Sequence, residues 1–379
     1  MTFKKKCYII TKQFASFDDG FCQISVQRKG GTEMMVLNQE HALKSTVNRL
    51  GWSLVVMLGV ISAMSSFNIL VIAFLDFLKS ENVLDYAQAT IISAAVDTLC
   101  YLSYFMIPTW LFYVISKNKP CEPIRFRVKF SKYLPLMIFS GLSLILIAGR
   151  LNQWFESLIG YELPMEDAEQ YMTDPATVVM FMTVSLAPAF AEELLFRGVV
   201  YGNLRPFGKT FAVLGSALTF ALMHQNVGQF FYTMVAGVIL ALIYEVTGSI
   251  WGSIFLHLFN NLYAVLQTAV FFKYSEATAT VILALVESVL VLLGAVSTIM
   301  LIMIQKKVQN SSSDEKHLGV FATEPHHLSA DRVPFEQAAA AFVKTKGMVV
   351  YMILAVFSAF LAIVLAIIGS WMLPFWGGI

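Results

Sequence analysis

Long apolar runs separated by short polar stretches organise most of this chain. The first, "GWSLVVMLGVISAMSSFNILVIAFLDFL", covers 51–78, and others follow at about 90–116 and 133–149. A fourth run, "ATVVMFMTVSLAPAFAEELLFRG", occupies 176–198. Two shorter pieces at about 211–223 and 230–246 come next, and then full-length runs at about 249–272, 278–304 and 347–373. The long runs reach the ~20 residues that a membrane-crossing helix needs, and they are continuously apolar instead of alternating. The pattern predicts an all-α, polytopic membrane bundle of about nine segments. The piece at 211–223 would be only ~20 Å long against a hydrocarbon core of ~30 Å. Both short pieces are therefore expected to be tilted or broken helices, which a membrane tolerates where the backbone faces protein or a water-filled cavity.

Composition agrees: 57% of residues are hydrophobic and 13% are charged, about half the charged fraction of an average soluble domain. A net charge of +1 without a pooled basic patch gives no reason to expect a nucleic-acid partner. The charges alternate from loop to loop instead. "KNKPCEPIRFRVKFSK" (117–132) carries six positive residues, whereas 150–174 carries six acids and one arginine. Basic residues return at 197–209 and after 305. Under the positive-inside rule the N-terminus is expected in the cytoplasm, and the protein in the cell membrane. The four cysteines form no CxxC pair, so no disulfide framework or metal knuckle is expected. "MTFKKK" opens a polar tail without the apolar stretch and cleavage site of a signal peptide. The polar linker holding His326 and His327 reads as a mobile cytoplasmic loop.

Three polar clusters interrupt the apolar background. In "PAFAEELLFRG", Glu193 and Arg197 stand four residues apart on one helical face and can pair. Glu192 is rotated by about 100° and lacks such a partner, and Pro188, one turn earlier, should kink the helix. Each such group costs roughly 2.5–3.5 kcal/mol at the centre of a bilayer helix. The second cluster, "FALMH", ends in His224, and the third, "HLFNN", puts His257 and Asn261 on one face. A single membrane histidine often serves as a helix-packing hydrogen bonder. Two glutamates, two histidines and an asparagine within about 70 residues are harder to explain by packing alone, and ionisable groups in membranes are functional by default.

Such a set can hydrolyse an acyl bond. A carboxylate in a low-dielectric site can act as general base toward water. Imidazole can orient that water, relay its proton or bind a metal, and Asn and His donors can stabilise an oxyanion. The HExxH arrangement of soluble zinc proteases is not present in the sequence, so metal ligands would have to come from different helices.

In order, "EELLFR", "FALMH" and "HLFNN" resemble the EExxxR, FxxxH and HxxxN motifs of the CPBP family of CAAX proteases and bacteriocin-processing enzymes, also described as the Abi domain. The resemblance covers about 175–270. It implies an intramembrane endopeptidase in which Glu192 and His224 activate water while His257 and Asn261 form the oxyanion hole. Glu193 and Arg197 fill the remaining motif positions in a supporting role. Substrates of the family are membrane-anchored proteins or small peptides. The expected cofactor is none, or zinc held by Glu192, His224 and His257; the metal-free form is favoured because no ligand pair lies on one helix. The expected layout is a tail at 1–48, membrane helices over 49–174 and a catalytic core at 175–272. A further helix at 273–304, a linker at 305–346 and a last helix within 347–379 complete it. Two other classes fit the polar residues: a proton-coupled transporter with a Glu–His relay, and a non-catalytic immunity or binding protein. From the cytoplasmic ends, Glu192 would lie ~9 Å deep, His257 ~12 Å and His224 ~20 Å, so convergence requires a strongly tilted short helix.

Overall fold

The computed structural model describes residues 32–117, 122–126, 131–159, 181–309 and 333–376. Among these residues every regular element is helical. Helix α1 spans Thr32–Ser80, α2 Tyr86–Ile115 and α3 Leu134–Ile159. An interrupted helix, α4, occupies 181–204. It is followed by α5 (Lys209–Met223), α6 (Val227–Thr247), α7 (Ile250–Lys273) and α8 (Glu276–Gln309). The short α9 (Phe335–Lys344) leads into α10 (Lys346–Trp376).

Seven of these helices, α1, α2, α3, α6, α7, α8 and α10, are long and apolar enough to cross a membrane. Their outward faces suit lipid: Leu285, Val289, Leu292, Val296 and Ile299 form an exposed apolar stripe along α8 at helical spacing. On a soluble protein such a stripe would be an aggregation hazard. The chain is a multi-pass integral membrane protein, a polytopic helical bundle. The remaining two of the nine predicted segments are α4 and the 15-residue α5.

Local chemistry sets the ends of the helices. Asp85 and Gln88 form a reciprocal capping box at the start of α2. The Asn226 side chain caps α6, and Gly248, in the left-handed region at φ 62°, ends it. Gly208, at φ 147°, allows the sharp turn into α5.

Four sequence expectations change. The piece predicted at 230–246 is a full helix of 21 residues, because capping by Asn226 lets Gln229 join its first turn. The tail expected at 1–48 is helical from Thr32, since Leu43, Val47, Leu50 and Leu54 form an apolar seam continuous with the membrane run. The stretch 197–209, expected as a basic loop, is mostly buried helix, with Arg197 inside and a turn only at 205–208. The linker at 305–346 ends in α9, whose Ala338, Ala341 and Phe342 are buried and whose Phe342 packs edge-on against Phe211. His326 and His327 lie outside the described residues, as does most of the acidic loop.

One end of the bundle gathers the surroundings of the basic loop. The Glu122 backbone N–H donates to the Asn203 side chain at 2.9 Å, and the Ile250 N–H donates to the Arg125 carbonyl at 3.1 Å. At the same end Glu245 accepts from Tyr201 and, through both oxygens, from Arg205 at 2.8 and 2.9 Å. These bonds tie α4 to α6 and, through the segment 122–126, to the start of α7, so that the two helices carrying Glu192 and His257 are fixed to one another.

Candidate active site

The interrupted helix supplies the central groups. One α-helical segment, Ala187–Glu193, lies between two wider π-helical segments, Phe181–Leu186 and Leu194–Tyr201. Pro188, near its start, has no N–H to donate, and the π-helical turn before it accommodates the lost bond. The kink expected at Pro188 therefore takes the form of a change of helix type. Wider turns of this kind recur at functional sites because they re-aim side chains.

All three charged groups of this helix point inward. Glu192 is 3% exposed, and Glu193 and Arg197 are fully buried. The Arg197 Nη1 donates to Glu193 Oε1 at 2.7 Å, and Nη2 donates to the Gly237 carbonyl of α6 at 3.2 Å. The guanidinium also stacks over the Phe220 ring, 4.5 Å from its centre. The predicted pair forms, then, but it has a third member: His257 Nδ1 lies 2.9 Å from the same Glu193 oxygen. A carboxylate paired with arginine only accepts, so the Nδ1–H of His257 donates to it and fixes the ring's orientation.

That orientation turns His257 Nε2 toward Glu192, whose Oε2 stands 3.9 Å away. The other oxygen, Oε1, accepts a short hydrogen bond from the Tyr101 hydroxyl of α2. Oε2 is buried and has no protein hydrogen-bond partner. A separation beyond direct hydrogen bonding between two polar atoms is where a bridging water is expected.

His224 ends α5. Its Nδ1 lies 2.9 Å from the Phe220 carbonyl and donates there, leaving Nε2 open to other contacts. The Phe220 ring packs edge-on against both imidazoles, with ring centres 4.9 Å from His224 and 6.0 Å from His257. The structure groups Arg197, His224 and His257 around one phenyl ring, with Glu193 and Glu192 on either nitrogen of His257. Asn261, one turn beyond His257, belongs to an adjoining polar group: its carbonyl accepts from Asn260, which in turn accepts from Tyr232. That arrangement leaves the Asn261 amide hydrogens to donate.

Sequence reasoning missed Tyr101, Phe220 and Gly237. Phe220 is the first residue of "FALMH", and its role follows from the three polar groups it touches. A Cβ on Gly237 would lie 2.9 Å from the Ala217 backbone, so only glycine allows the α5–α6 contact that brings its carbonyl to Arg197. Tyr101, in "DTLCYLSYFM", carries no signal that separates it from any other tyrosine of a membrane helix.

Glu192 Oε2 and the Nε2 atoms of His224 and His257 are the donors a metal would need. Among the described residues no group of three His, Cys, Asp or Glu side chains is arranged to ligate one ion. As placed, these donors do not form a metal-ligating group. A cavity of about 590 Å³ between α3, α7 and α8, lined by Arg150, Gln267, Phe271 and Glu287 among others, includes none of the site residues.

Residues 174–263 match the family model described as "Type II CAAX prenyl endopeptidase Rce1-like". This stretch is similar to Rce1-like domains. It contains all six residues singled out from the motifs, while α1, α2 and α3 lie outside it. The chain is also 25% identical over 131 residues to the "UPF0177 protein YvdC" of Lactococcus lactis, covering 34% of this chain and 49% of that protein. It is 31% identical over 95 residues to "Putative membrane peptidase YdiL" of Bacillus subtilis, covering 24% of this chain and 38% of that protein. The chain thus spans half or less of the length of these relatives. No solved structure is significantly similar to it.

Proposed function

We propose that this chain is an intramembrane endopeptidase that hydrolyses a peptide bond with water activated at Glu192. One observation carries the reading: Glu192 Oε2 is buried without a hydrogen-bond partner and faces His257 Nε2 across 3.9 Å. A water in that gap is oriented by the imidazole and gives its proton to the carboxylate as its oxygen attacks the scissile carbonyl carbon. His224 assists from the end of α5. The amide hydrogens of Asn261 stabilise the oxyanion. Collapse of the tetrahedral intermediate breaks the C–N bond, and the proton held by Glu192 goes to the leaving amine. Glu193 and Arg197 hold His257 in place.

The Rce1-like match and the name of the Bacillus subtilis relative support a peptide substrate. The bundle's lipid-facing stripes support one anchored in or at the membrane. The basic loop around 117–132 supports a cytoplasmic position for the end of the bundle nearest the Glu245–Arg205 network, and with it a cytoplasmic N-terminus in the cell membrane.

The test is cleavage of membrane-tethered peptides, prenylated and unmodified, by the purified protein in lipid vesicles, with products identified by mass spectrometry. Peptidase activity is expected with and without chelator. Absence of any cleavage, together with proton-linked solute flux, would contradict the reading in favour of a carrier. Loss of cleavage in chelator, restored by zinc, would keep the residues and replace the metal-free mechanism.

A further inference from the structure

The Tyr101 hydroxyl donates to Glu192 Oε1, and Tyr101 comes from α2, outside the matched stretch 174–263. A glutamate's terminal torsion is broad, so an untethered carboxylate samples a wide range of orientations. The phenol removes that freedom. With Oε1 held, Oε2 is the oxygen left facing His257 Nε2.

Tyr101 is itself held by a continuous aromatic path. Its ring packs against Tyr104 at 5.4 Å and Phe105 at 5.3 Å between centres. Phe105 packs against Phe196 at 6.3 Å, and Phe196 against Phe220 at 5.2 Å. Phe220 is the ring that touches both site imidazoles. The polar groups that meet Glu192 are Tyr101 from α2 and His257 from α7, whose Nε2 lies 3.9 Å from Oε2. Of these, Tyr101 is the group hydrogen-bonded to Glu192 itself.

We infer that Tyr101 is a positioning residue that fixes Glu192 with Oε2 toward the reacting water, so that the Rce1-like stretch is completed by a hydroxyl from α2. The inference rests on the peptidase reading above. A hydrogen bond to a charged group is worth enough that its loss should lower kcat by about ten- to a hundredfold.

The experiment measures kcat, KM and thermal unfolding for Tyr101→Phe, Glu192→Gln and the double variant, with cleavage of a membrane-tethered peptide in vesicles as the assay. Tyr101→Phe should lose kcat at unchanged KM and near wild-type melting. In the Glu192→Gln background it should cost nothing further, because groups acting through one another are not additive. Tyr104→Phe, which removes the neighbouring hydroxyl on α2, should leave kcat unchanged. An unaltered kcat in Tyr101→Phe, a change in KM alone, or full additivity with Glu192→Gln would overturn the inference. So would a failure of Tyr101→Phe to fold, which would assign the phenol to helix packing. A wild type that cleaves no peptide would instead sink the peptidase reading, and this proposal with it.

Discussion

His257 and Glu193 meet at 2.9 Å, on the same carboxylate oxygen that Arg197 holds at 2.7 Å. Glu193 is thus shared between a structural cation and a site imidazole. Arg197→Ala would leave a fully buried carboxylate without its counter-charge, at a cost of about 3–5 kcal/mol. Thermal unfolding in detergent should show that loss. Arg197→Lys should recover part of it, since an ammonium can meet Glu193 but lacks the planar fork that also reaches Gly237 and stacks on Phe220. Wild-type melting in an inactive Arg197→Ala would instead place Arg197 in the chemistry.

Gly237 gives a separate test of the same support. A methyl there meets the Ala217 backbone at 2.9 Å, so α5 and α6 must separate and the carbonyl withdraws from Arg197. Gly237→Ala should destabilise by about 1–3 kcal/mol, the usual cost of overpacking. Unchanged melting would mean that the two helices adjust without strain.

His224 should act with Glu192 as a unit. His224→Ala is expected to lower peptide cleavage by ~10²–10⁴-fold, the contribution of a general acid–base group. Combined with Glu192→Gln, it should be little worse than either single variant. Independent, multiplying losses measured in the double variant would separate the two roles.

Asn261→Ala should cost ~10²–10³-fold in kcat if its amide donates to the oxyanion. Asn260→Ala, which removes the neighbour that occupies the Asn261 carbonyl, should cost less. Equal losses would show that the pair works as packing, and kinetics on the two purified variants distinguishes these outcomes.

The membrane bundle and the polar clusters were both legible in the sequence. Continuous apolar runs report helices directly, and charged groups inside them stand out because burial is costly. The Glu193–Arg197 pair followed from i, i+4 spacing, since both ends lie on one helix. The bond from His257 to Glu193 did not, because it joins residues 64 apart through the packing of α7 on α4. Tyr101 was invisible for the same reason, being 91 residues from Glu192. Three of the four boundaries that moved, at the start of α1, at 197–209 and at α9, are places where polar residues sit on helices that are otherwise buried. Hydropathy averages such residues into loops, whereas their burial depends on neighbours distant in sequence.

The account centres on Glu192 as the base, and Glu192→Gln tests it most directly. The substitution keeps size and the capacity to accept from Tyr101 but removes the proton acceptor. Cleavage of a membrane-tethered peptide by the purified variant in vesicles should fall by at least ~10²–10⁴-fold, with unfolding temperature unchanged. Wild-type cleavage by a folded Glu192→Gln protein would contradict the account.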